Sequence, residues 1–204
     1  MKIIGIGQNY RAHADEMSLT VRPEPVIFLK AQSALLPNGG TITFRGAGRV
    51  DYEGELAVII GREAKNVQAA DALSYVASVA AFNDVTARSM QDDARAASLP
   101  WALSKSVDTF APMSEPVALA AVPDLQQLTI ETRVNGVLKQ SGQVADMIFS
   151  VPELIEYITK YITLEAGDII ATGTPVGVGP LADGDEVEVK IEGVGTLKNK
   201  FQRL

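Results

Sequence analysis

The chain contains no cysteine and only one histidine among its 204 residues. The absence of cysteine excludes disulfide bonds and thiolate metal sites, and a single histidine excludes a zinc site with three histidine ligands. Long apolar runs are also missing, because none approaches the roughly 20 residues that a membrane-spanning helix requires. The sequence therefore predicts a cytoplasmic protein without a membrane partner.

Basic residues are fewer than acidic ones, with 18 lysine and arginine residues against 25 aspartate and glutamate residues. The net charge of −7 and the lack of a basic run argue against nucleic acid as a partner. The chain is long enough to bury a sizeable core and shows no internal repeat, low-complexity tract or linker. We therefore predict a single domain over residues 1–204, with many short strands and a few helices.

The segment from Asp51 to Ile60 is acidic at its start and apolar with β-branched residues in its second half, which favours a strand. Side chains alternate along a strand, so Asp51, Glu53 and Glu55 are expected on one side. Two carboxylates that face one point repel each other unless one is protonated or a cation lies between them, and Mg²⁺ prefers oxygen ligands. A metal site and a solvated acidic strand end are both compatible with this pattern.

The apolar run from Val76 to Phe82 predicts a buried strand that ends at Asp84. That position suits a third oxygen ligand, but Asp84 could equally cap the helix predicted over residues 87–97. Arg88 and Gln91 are three residues apart on that helix, so they could face the same cavity.

An early helix is predicted from Asn9, as its N-cap, to Met17. His13 and Glu16 share a face of this helix, and their pairing could raise the basicity of the imidazole, as a general base requires. A surface ion pair or a histidine satisfied within the core would give the same spacing.

The glycine-rich loop 173–180 is not a phosphate-binding P-loop, because it lacks the Gly-Lys-Ser/Thr ending. Its backbone amides and the Thr174 hydroxyl could bind a carboxylate, or the loop could be a bulged connection that needs small residues. Farther back, Asn135-Gly136 predicts a hairpin turn, and Ser150 predicts a capped helix start.

Several motifs follow one another in an order that resembles the fumarylacetoacetate hydrolase family. The resemblance extends from Ile4 to Phe201 and rests on the motifs Asn9-Tyr10…His13…Glu16, Asp51-Tyr52-Glu53-x-Glu55-Leu56, Asn83-Asp84-x-Thr86-Ala87-Arg88, Ser104-Lys105-Ser106 and Thr172-Gly173-Thr174-Pro175. It implies an α+β fold, a mixed β-sandwich roll of the fumarylacetoacetate hydrolase C-terminal-domain type with a few peripheral helices. It also implies assembly as a homodimer.

The same resemblance, which is greatest to the short single-domain branch, implies roles for individual residues. It implies Mg²⁺ or Mn²⁺ held by Glu53, Glu55 and Asp84, and a water-activating dyad of His13 and Glu16. Lys105 would offset negative charge on the substrate. The positions expected to contact a keto-acid substrate are Lys30, Arg88, Gln91, Gly173 and Thr174.

The implied reaction is metal-dependent hydrolysis of a C–C bond in an acylpyruvate, such as fumarylpyruvate, to pyruvate and a carboxylic acid. Oxaloacetate decarboxylation, isomerisation of an unsaturated keto dicarboxylate and a catalytically silent keto-acid-binding protein are the alternatives. The chain departs from the family pattern at Ala31, Ser89 and Val107, where proline, aspartate and phenylalanine are common. These departures bear on the identity of the substrate more than on the metal site.

Overall fold

The computed structural model describes residues 1–16 and 20–204. Its strands are short, and most of them belong to two large sheets. In chain order they are β1 (Ile3–Gly7), β2 (Val26–Lys30), β3 (Leu35–Pro37), β4 (Thr41–Phe44), β5 (Val50–Tyr52), β6 (Gly54–Ile60), β7 (Val76–Asn83), β8 (Thr86–Ala87), β9 (Ala111–Met113), β10 (Val117–Ala118), β11 (Thr129–Val134), β12 (Val137–Gln143), β13 (Ile169–Ala171), β14 (Gly179–Pro180), β15 (Glu186–Ile191) and β16 (Gly195–Arg203).

The sheets are mixed, with parallel and antiparallel pairs. The first has the order β2-β1-β13-β6-β7-β9-β3, with β10 paired to β7, and the second has the order β12-β11-β15-β16-β4. A small third sheet has the order β14-β5-β8. Within the first sheet β1 and β13 are parallel, whereas β6 and β7 are antiparallel. This architecture confirms the predicted α+β fold.

The two large sheets share one apolar core. Leu56, Val58 and Ile60 of β6 belong to the same buried cluster as Ile130 of β11 and Val189 of β15. The intervening Ala57 belongs to a separate buried cluster, as strand alternation requires. The apolar half of the segment 51–60 is therefore buried on both faces, and this fixes the direction in which the neighbouring carboxylates point.

The α-helices are short and lie between strands in the sequence. They are α1 (Arg11–Glu16), α2 (Arg88–Ala96), α3 (Ala102–Lys105) and α4 (Val151–Thr159). The predicted cap of α4 is confirmed, because the Glu153 carboxylate accepts hydrogen bonds from the Ser150 amide at 2.7 Å and its hydroxyl at 2.6 Å. The predicted end of the first helix, Met17, lies outside the described residues. No helix in the described part of the chain is long and apolar enough to cross a membrane.

The expectation of one continuous strand from Asp51 to Ile60 is wrong, because the strand breaks at Glu53. β5 pairs within the small sheet and β6 within the first large sheet. Side chains accept the hydrogen bonds of the two backbone N–H groups at the break. The Glu53 amide donates to the Asn83 side-chain oxygen at 2.9 Å, and the Gly54 amide donates to Gln140 Oε1 at 3.0 Å.

Gly54 of β6 packs directly against Thr132 of β11, a strand of the second large sheet. A Cβ atom at this position would lie 2.0 Å from the Thr132 hydroxyl oxygen of β11. We expect Gly54→Ala to lower the free energy of unfolding by about 3 kcal/mol, the upper range for overpacking a tight contact. Urea denaturation of Gly54→Ala, Thr132→Ala and the double variant measures this effect. A double variant as unstable as the sum of the two single variants would contradict the proposed clash.

Candidate active site

Three buried carboxylates converge at the start of β6 and the end of β7. Glu53 precedes β6, Glu55 is its second residue, and Asp84 follows β7, with Gly54 opposite Asn83 in the antiparallel pair. The Asp84 amide donates to the Glu53 carbonyl at 2.8 Å, which holds the two segments together. One oxygen from each carboxylate lies within 4.8 Å of the others. The structure thus brings the three predicted ligands together.

The alternative role of Asp84 as a helix cap is not observed. Helix α2 begins after Ala87, and no side-chain hydrogen bond caps its first turn. The Asp84 carboxylate instead accepts a hydrogen bond from an ammonium group at each oxygen. Lys30 Nζ lies 2.5 Å from Oδ1, and Lys105 Nζ lies 2.5 Å from Oδ2.

Lys105 bridges two of the three carboxylates. Its ammonium group donates to Glu53 Oε2 at 2.8 Å as well as to Asp84, and its third hydrogen bond goes to the Thr86 hydroxyl at 2.7 Å. The pKa of Lys105 is raised, because Asp84 and Glu53 together outweigh the opposing effect of burial. Lys105 therefore remains a fixed positive charge at the centre of the site.

Arg88 carries a second fixed positive charge to the site. Its guanidinium donates to Asp51 Oδ2 at 2.8 Å, to Gln91 Oε1 at 2.5 Å and to Glu53. Asp51 is fully buried and also accepts a hydrogen bond from Arg49 at 2.6 Å. Asp51 thus lies outside the triad, as the family pattern implies, and orients Arg88. Its spacing in the sequence does not reveal this role.

The two glutamates have opposite electrostatic environments. Burial alone would raise the pKa of Glu53, but the neighbouring Lys105 and Arg88 hold it well below its ordinary value. The pKa of Glu55 is raised well above its ordinary value, first by burial and then by Asp84 and Glu53. Among the described residues the only hydrogen-bond donor to the Glu55 carboxylate is the Gly173 amide, at 2.8 Å.

This arrangement fits a divalent cation. The triad offers three oxygen atoms in one buried place, which is the ligand chemistry that Mg²⁺ and Mn²⁺ prefer. After burial, the negative charges of Asp84 and Glu53 raise the pKa of Glu55 further, and such an ion would balance those charges. The donor set therefore supports divalent metal binding without distinguishing the two metals.

The predicted dyad forms on α1. His13 Nδ1 lies 3.1 Å from Glu16 Oε2, and Glu16 Oε1 accepts a hydrogen bond from the Gly177 amide at 3.1 Å. Gly177 has a φ of +102°, and a Cβ there would lie 2.1 Å from the Lys139 carbonyl oxygen. Only glycine suits that backbone, so the glycine-rich loop fixes the carboxylate that orients His13.

The loop residues expected to hold substrate are mostly occupied within the protein. The Gly173 amide is bonded to Glu55. The Thr174 hydroxyl donates to the Gly54 carbonyl at 2.9 Å and accepts from Gln140 Nε2 at 2.8 Å. Thr174 still lines the cavity, whereas the Gly173 amide supports the Glu55 carboxylate.

Lys30 also differs from its expected role as a substrate contact. Its side chain is fully buried, with the ammonium group on Asp84 and the Val85 carbonyl, and it does not line the cavity. The structure therefore places Lys30 as a support for Asp84. The expected cap Asn9 is likewise used elsewhere, because its side chain bonds the backbone of Phe149 and Thr172.

Two of the three carboxylates, Glu53 and Glu55, line one cavity together with His13 of the dyad. His13, Arg88, Gln91 and Lys105 all line it, so these predicted residues meet in one place. The complete lining is Ile6, Gly7, Gln8, His13, Phe28, Glu53, Glu55, Arg88, Gln91, Arg95, Trp101, Lys105 and Thr174. The sequence did not predict that Gln8, Arg95 and Trp101 would line this cavity. The spacing of Arg95, four residues after Gln91 on the predicted helix, does indicate that the two side chains share a face.

Two of the departures from the family pattern lie away from this cavity. Val107 packs against the apolar cluster that contains Phe44 and Phe110. The Ser89 hydroxyl accepts a hydrogen bond from the Arg49 amide at 2.9 Å. Neither residue lines the cavity, so neither decides directly which substrate binds.

The sequence matches one known family over almost its whole length. Residues 2–202 match the family described as fumarylacetoacetate (FAA) hydrolase C-terminal. The chain is 43% identical over 202 residues to oxaloacetate tautomerase FAHD1, mitochondrial, of Rattus norvegicus, covering 98% of this chain and 91% of that protein. The chain belongs to the fumarylacetoacetate hydrolase family.

Solved structures agree with this assignment. Fumarylpyruvate hydrolase of Pseudomonas aeruginosa, in complex with Mn²⁺ and pyruvate, has a TM-score of 0.96 at 28% identity, over all of this chain and 90% of that chain. A 5-carboxymethyl-2-hydroxymuconate delta-isomerase of Mycobacterium smegmatis has a TM-score of 0.90 at 38% identity, over all of this chain and 79% of that chain. The family is therefore one of enzymes that include hydrolases, isomerases and tautomerases.

Proposed function

We propose that the protein is a Mg²⁺- or Mn²⁺-dependent hydrolase that cleaves a C–C bond of an acylpyruvate, such as fumarylpyruvate, to pyruvate and a carboxylic acid. The observation that carries this proposal is that Glu53 and Glu55 of the triad line one cavity together with Lys105 and His13. Asp84 and Glu16 lie directly behind them, within ligand distance of the two glutamates and hydrogen-bonded to His13 respectively. The structural similarity to a fumarylpyruvate hydrolase supports it.

The divalent ion would be held by Glu53, Glu55 and Asp84, where it supplies Lewis acidity toward the oxygens of a 2-oxo acid. Lys105 and Arg88, both fixed by carboxylates, add positive charge beside the developing enolate. Gln91 lines the same wall and is oriented by its bond to Arg88.

We propose that His13 transfers the protons of this reaction. With Glu16 on Nδ1, the imidazole carries its proton there and leaves Nε2 free to accept one from water. The water oxygen then adds to the distal carbonyl carbon, and the C–C bond breaks with its electron pair passing to the enolate carbon of pyruvate. The protonated His13 returns its proton to that carbon, so one water is consumed for each carboxylic acid and pyruvate formed.

Tautomerisation of oxaloacetate is the second candidate, and the 43% identical relative named for that activity favours it. It needs only proton transfer between carbon and the enol oxygen, with the same positive groups stabilising the enolate. Purified protein with Mn²⁺ or Mg²⁺ should be tested with acetylpyruvate, fumarylpyruvate and oxaloacetate. Release of pyruvate with the matching carboxylic acid supports hydrolysis, a change in enol absorbance alone supports tautomerisation, and release of CO₂ from oxaloacetate indicates decarboxylation.

His13→Gln is expected to lower kcat for acylpyruvate hydrolysis by about 10²-fold, because it removes the general base. KM should change little, since the metal triad and the positive groups remain. Asp15→Asn, an exposed change on the same helix, is the matched control and should retain activity. Retention of more than half of the wild-type kcat by His13→Gln would contradict water activation by this residue.

We also propose a cytoplasmic homodimer. Its mass by light scattering would be about twice the 21.7 kDa of one chain. A single-chain mass at micromolar concentration would contradict the dimer. The rat relative is named mitochondrial, so localisation of a tagged chain in its own cell is the test of compartment.

A further inference from the structure

Helix α2 presents three polar side chains to the cavity, and only two of them bond to the carboxylate network. Arg88, Gln91 and Arg95 are spaced i, i+3 and i+7, so they form one stripe on the helix. Arg88 and Gln91 are bonded to each other, and Arg88 is bonded to Glu53. With a rise of about 1.5 Å per residue, Arg95 lies about 6 Å beyond Gln91 along the helix axis.

Two aromatic rings lie between the metal end of the cavity and Arg95. Lys105 Nζ lies 4.8 Å from the centre of the Phe28 ring. The Phe28 and Trp101 ring centres are 5.9 Å apart, and the Arg95 guanidinium lies 4.9 Å from the centre of the Trp101 ring. The cavity therefore has a cation at each end of an apolar, aromatic wall.

The charge of Arg95 is weakly balanced by the described residues. The carboxylate paired with it is Asp92, 3.6 Å away on the same helix, whose side chain is 59% exposed. Exposed pairs of this kind contribute little, whereas the Arg95 side chain is only 28% exposed. The pKa of Arg95 is lowered, first by burial and then by the neighbouring charge of Arg88. An anion beside this guanidinium would be stabilised.

Without Arg95, the buried charges at the site and a bound divalent ion together would balance one anionic group of a substrate. Among the buried groups of the described residues, the four carboxylates Asp51, Glu53, Glu55 and Asp84 face the three cations Lys30, Arg88 and Lys105. Arg49 also pairs with Asp51, but its side chain is half exposed and its charge is screened by solvent, so it is not counted with the buried cations. A divalent ion would turn the resulting single negative charge into a single positive one, which one substrate carboxylate would match. Arg95 adds a further positive charge at the far end of the cavity.

We propose that Arg95 is a specificity-determining residue that binds the distal carboxylate of a dicarboxylic 2-oxo acid, while Phe28 and Trp101 flank the carbon chain between its two ends. This inference rests on the proposed function, because it takes the 2-oxo-acid end to bind at the carboxylate triad. A substrate with a neutral, apolar distal group would bind without using Arg95.

Two seven-carbon acids that differ only in the distal carboxylate test this proposal. 2-Oxopimelate and 2-oxoheptanoate lack the second carbonyl needed for hydrolysis, so their binding to the Mg²⁺-loaded protein can be measured by calorimetry without turnover. We expect the wild type to bind the diacid about 10-fold more tightly, equivalent to about 1.4 kcal/mol. Arg95→Gln should lose that preference and bind the monoacid as the wild type does, and Arg95→Lys should retain part of the preference.

Arg62→Gln is the matched control, because Arg62 also lies over an aromatic ring, that of Tyr75, but does not line the cavity. Equal wild-type affinity for both acids, no binding of either acid, or equal loss of both in Arg95→Gln would overturn the proposal. A diacid preference that depends on Arg95 would uphold it even if acylpyruvates and oxaloacetate were not turned over. That lack of turnover would count against the proposed function alone.

Discussion

Glu55→Gln is expected to abolish metal binding and at the same time to make the metal-free protein more stable. Glu55 is buried beside Glu53 and Asp84, and its pKa is raised by burial and by these two carboxylates. Unlike them, it has no lysine or arginine partner among the ion pairs of the described residues. A neutral amide of the same shape removes the repulsion and can still accept the Gly173 amide hydrogen bond.

The same change removes one of three anionic oxygen ligands. Mn²⁺ affinity should fall by more than about 100-fold, since changes even to residues behind a ligand cost 10–100-fold. Turnover with Mn²⁺ should fall by about 10³-fold or more. The free energy of unfolding of the metal-free protein at neutral pH should rise by about 1–3 kcal/mol, the usual penalty for an unpaired buried charge.

Calorimetric Mn²⁺ titration measures the metal affinity, and urea denaturation in EDTA measures the stability of the metal-free protein. Both use one purified preparation. Glu192→Gln, an exposed glutamate outside the cavity, is the matched control and should change neither quantity appreciably. A Glu55→Gln protein that is less stable than the wild type in EDTA would show that the carboxylate is not under electrostatic strain. Unchanged Mn²⁺ affinity would remove Glu55 from the metal site.

Lys105→Met is expected to strengthen Mn²⁺ binding while it lowers turnover by about 10³-fold. The ammonium group of Lys105 is hydrogen-bonded to Glu53 and Asp84, so it competes with a cation for two of the three ligands. Removing it should lower the Kd for Mn²⁺ by about 10-fold. The loss of turnover follows because Lys105 is the positive charge proposed to offset the developing enolate.

The metal-free Lys105→Met protein leaves two buried carboxylates with fewer partners, which costs about 3–5 kcal/mol. Purification in the presence of Mn²⁺, followed by competition with a metal indicator, therefore keeps the variant measurable. Lys65→Met, at an exposed lysine outside the cavity, is the control. A weaker Mn²⁺ affinity in Lys105→Met would show that Lys105 preorganises the ligands more than it competes for them.

Alternation along the segment 51–60 predicts Asp51, Glu53 and Glu55 on one side. The structure brings the two glutamates together across a break at Glu53 and places Asp51 on Arg88 instead. The end of β7 suggests Asp84 from the sequence alone. The spacing of His13 and Glu16 likewise predicted their contact. These features depend on local geometry, which the sequence carries directly. The mixed α+β architecture followed from the order of the motifs and not from any one of them.

The hydrogen-bond partners of the acidic motif come from distant segments of the chain and could not be predicted from the sequence. Lys30 is 54 residues from Asp84, and Gln140 is 86 residues from Gly54, yet each is bonded to its partner in the buried interior. The sequence contains many lysines and amides that could serve equally well by composition. Which one reaches the site is decided by how the sheets pack. The substrate role of Lys30 is implied by the family resemblance, and local sequence could not have shown its contact with Asp84.

The contact of Gly54 with Thr132 limits how this enzyme can diversify. Gly54, between the two glutamates proposed to bind metal, is confined by a strand from the opposite sheet that does not line the cavity. A larger residue at position 54 would thus require a smaller residue at position 132, on the opposite sheet. New substrate preferences are more accessible through α2 and the segment around Trp101, where side chains can change while the sheets that support the metal site keep their packing. A library for altered selectivity should vary those residues and leave the junction of the sheets untouched.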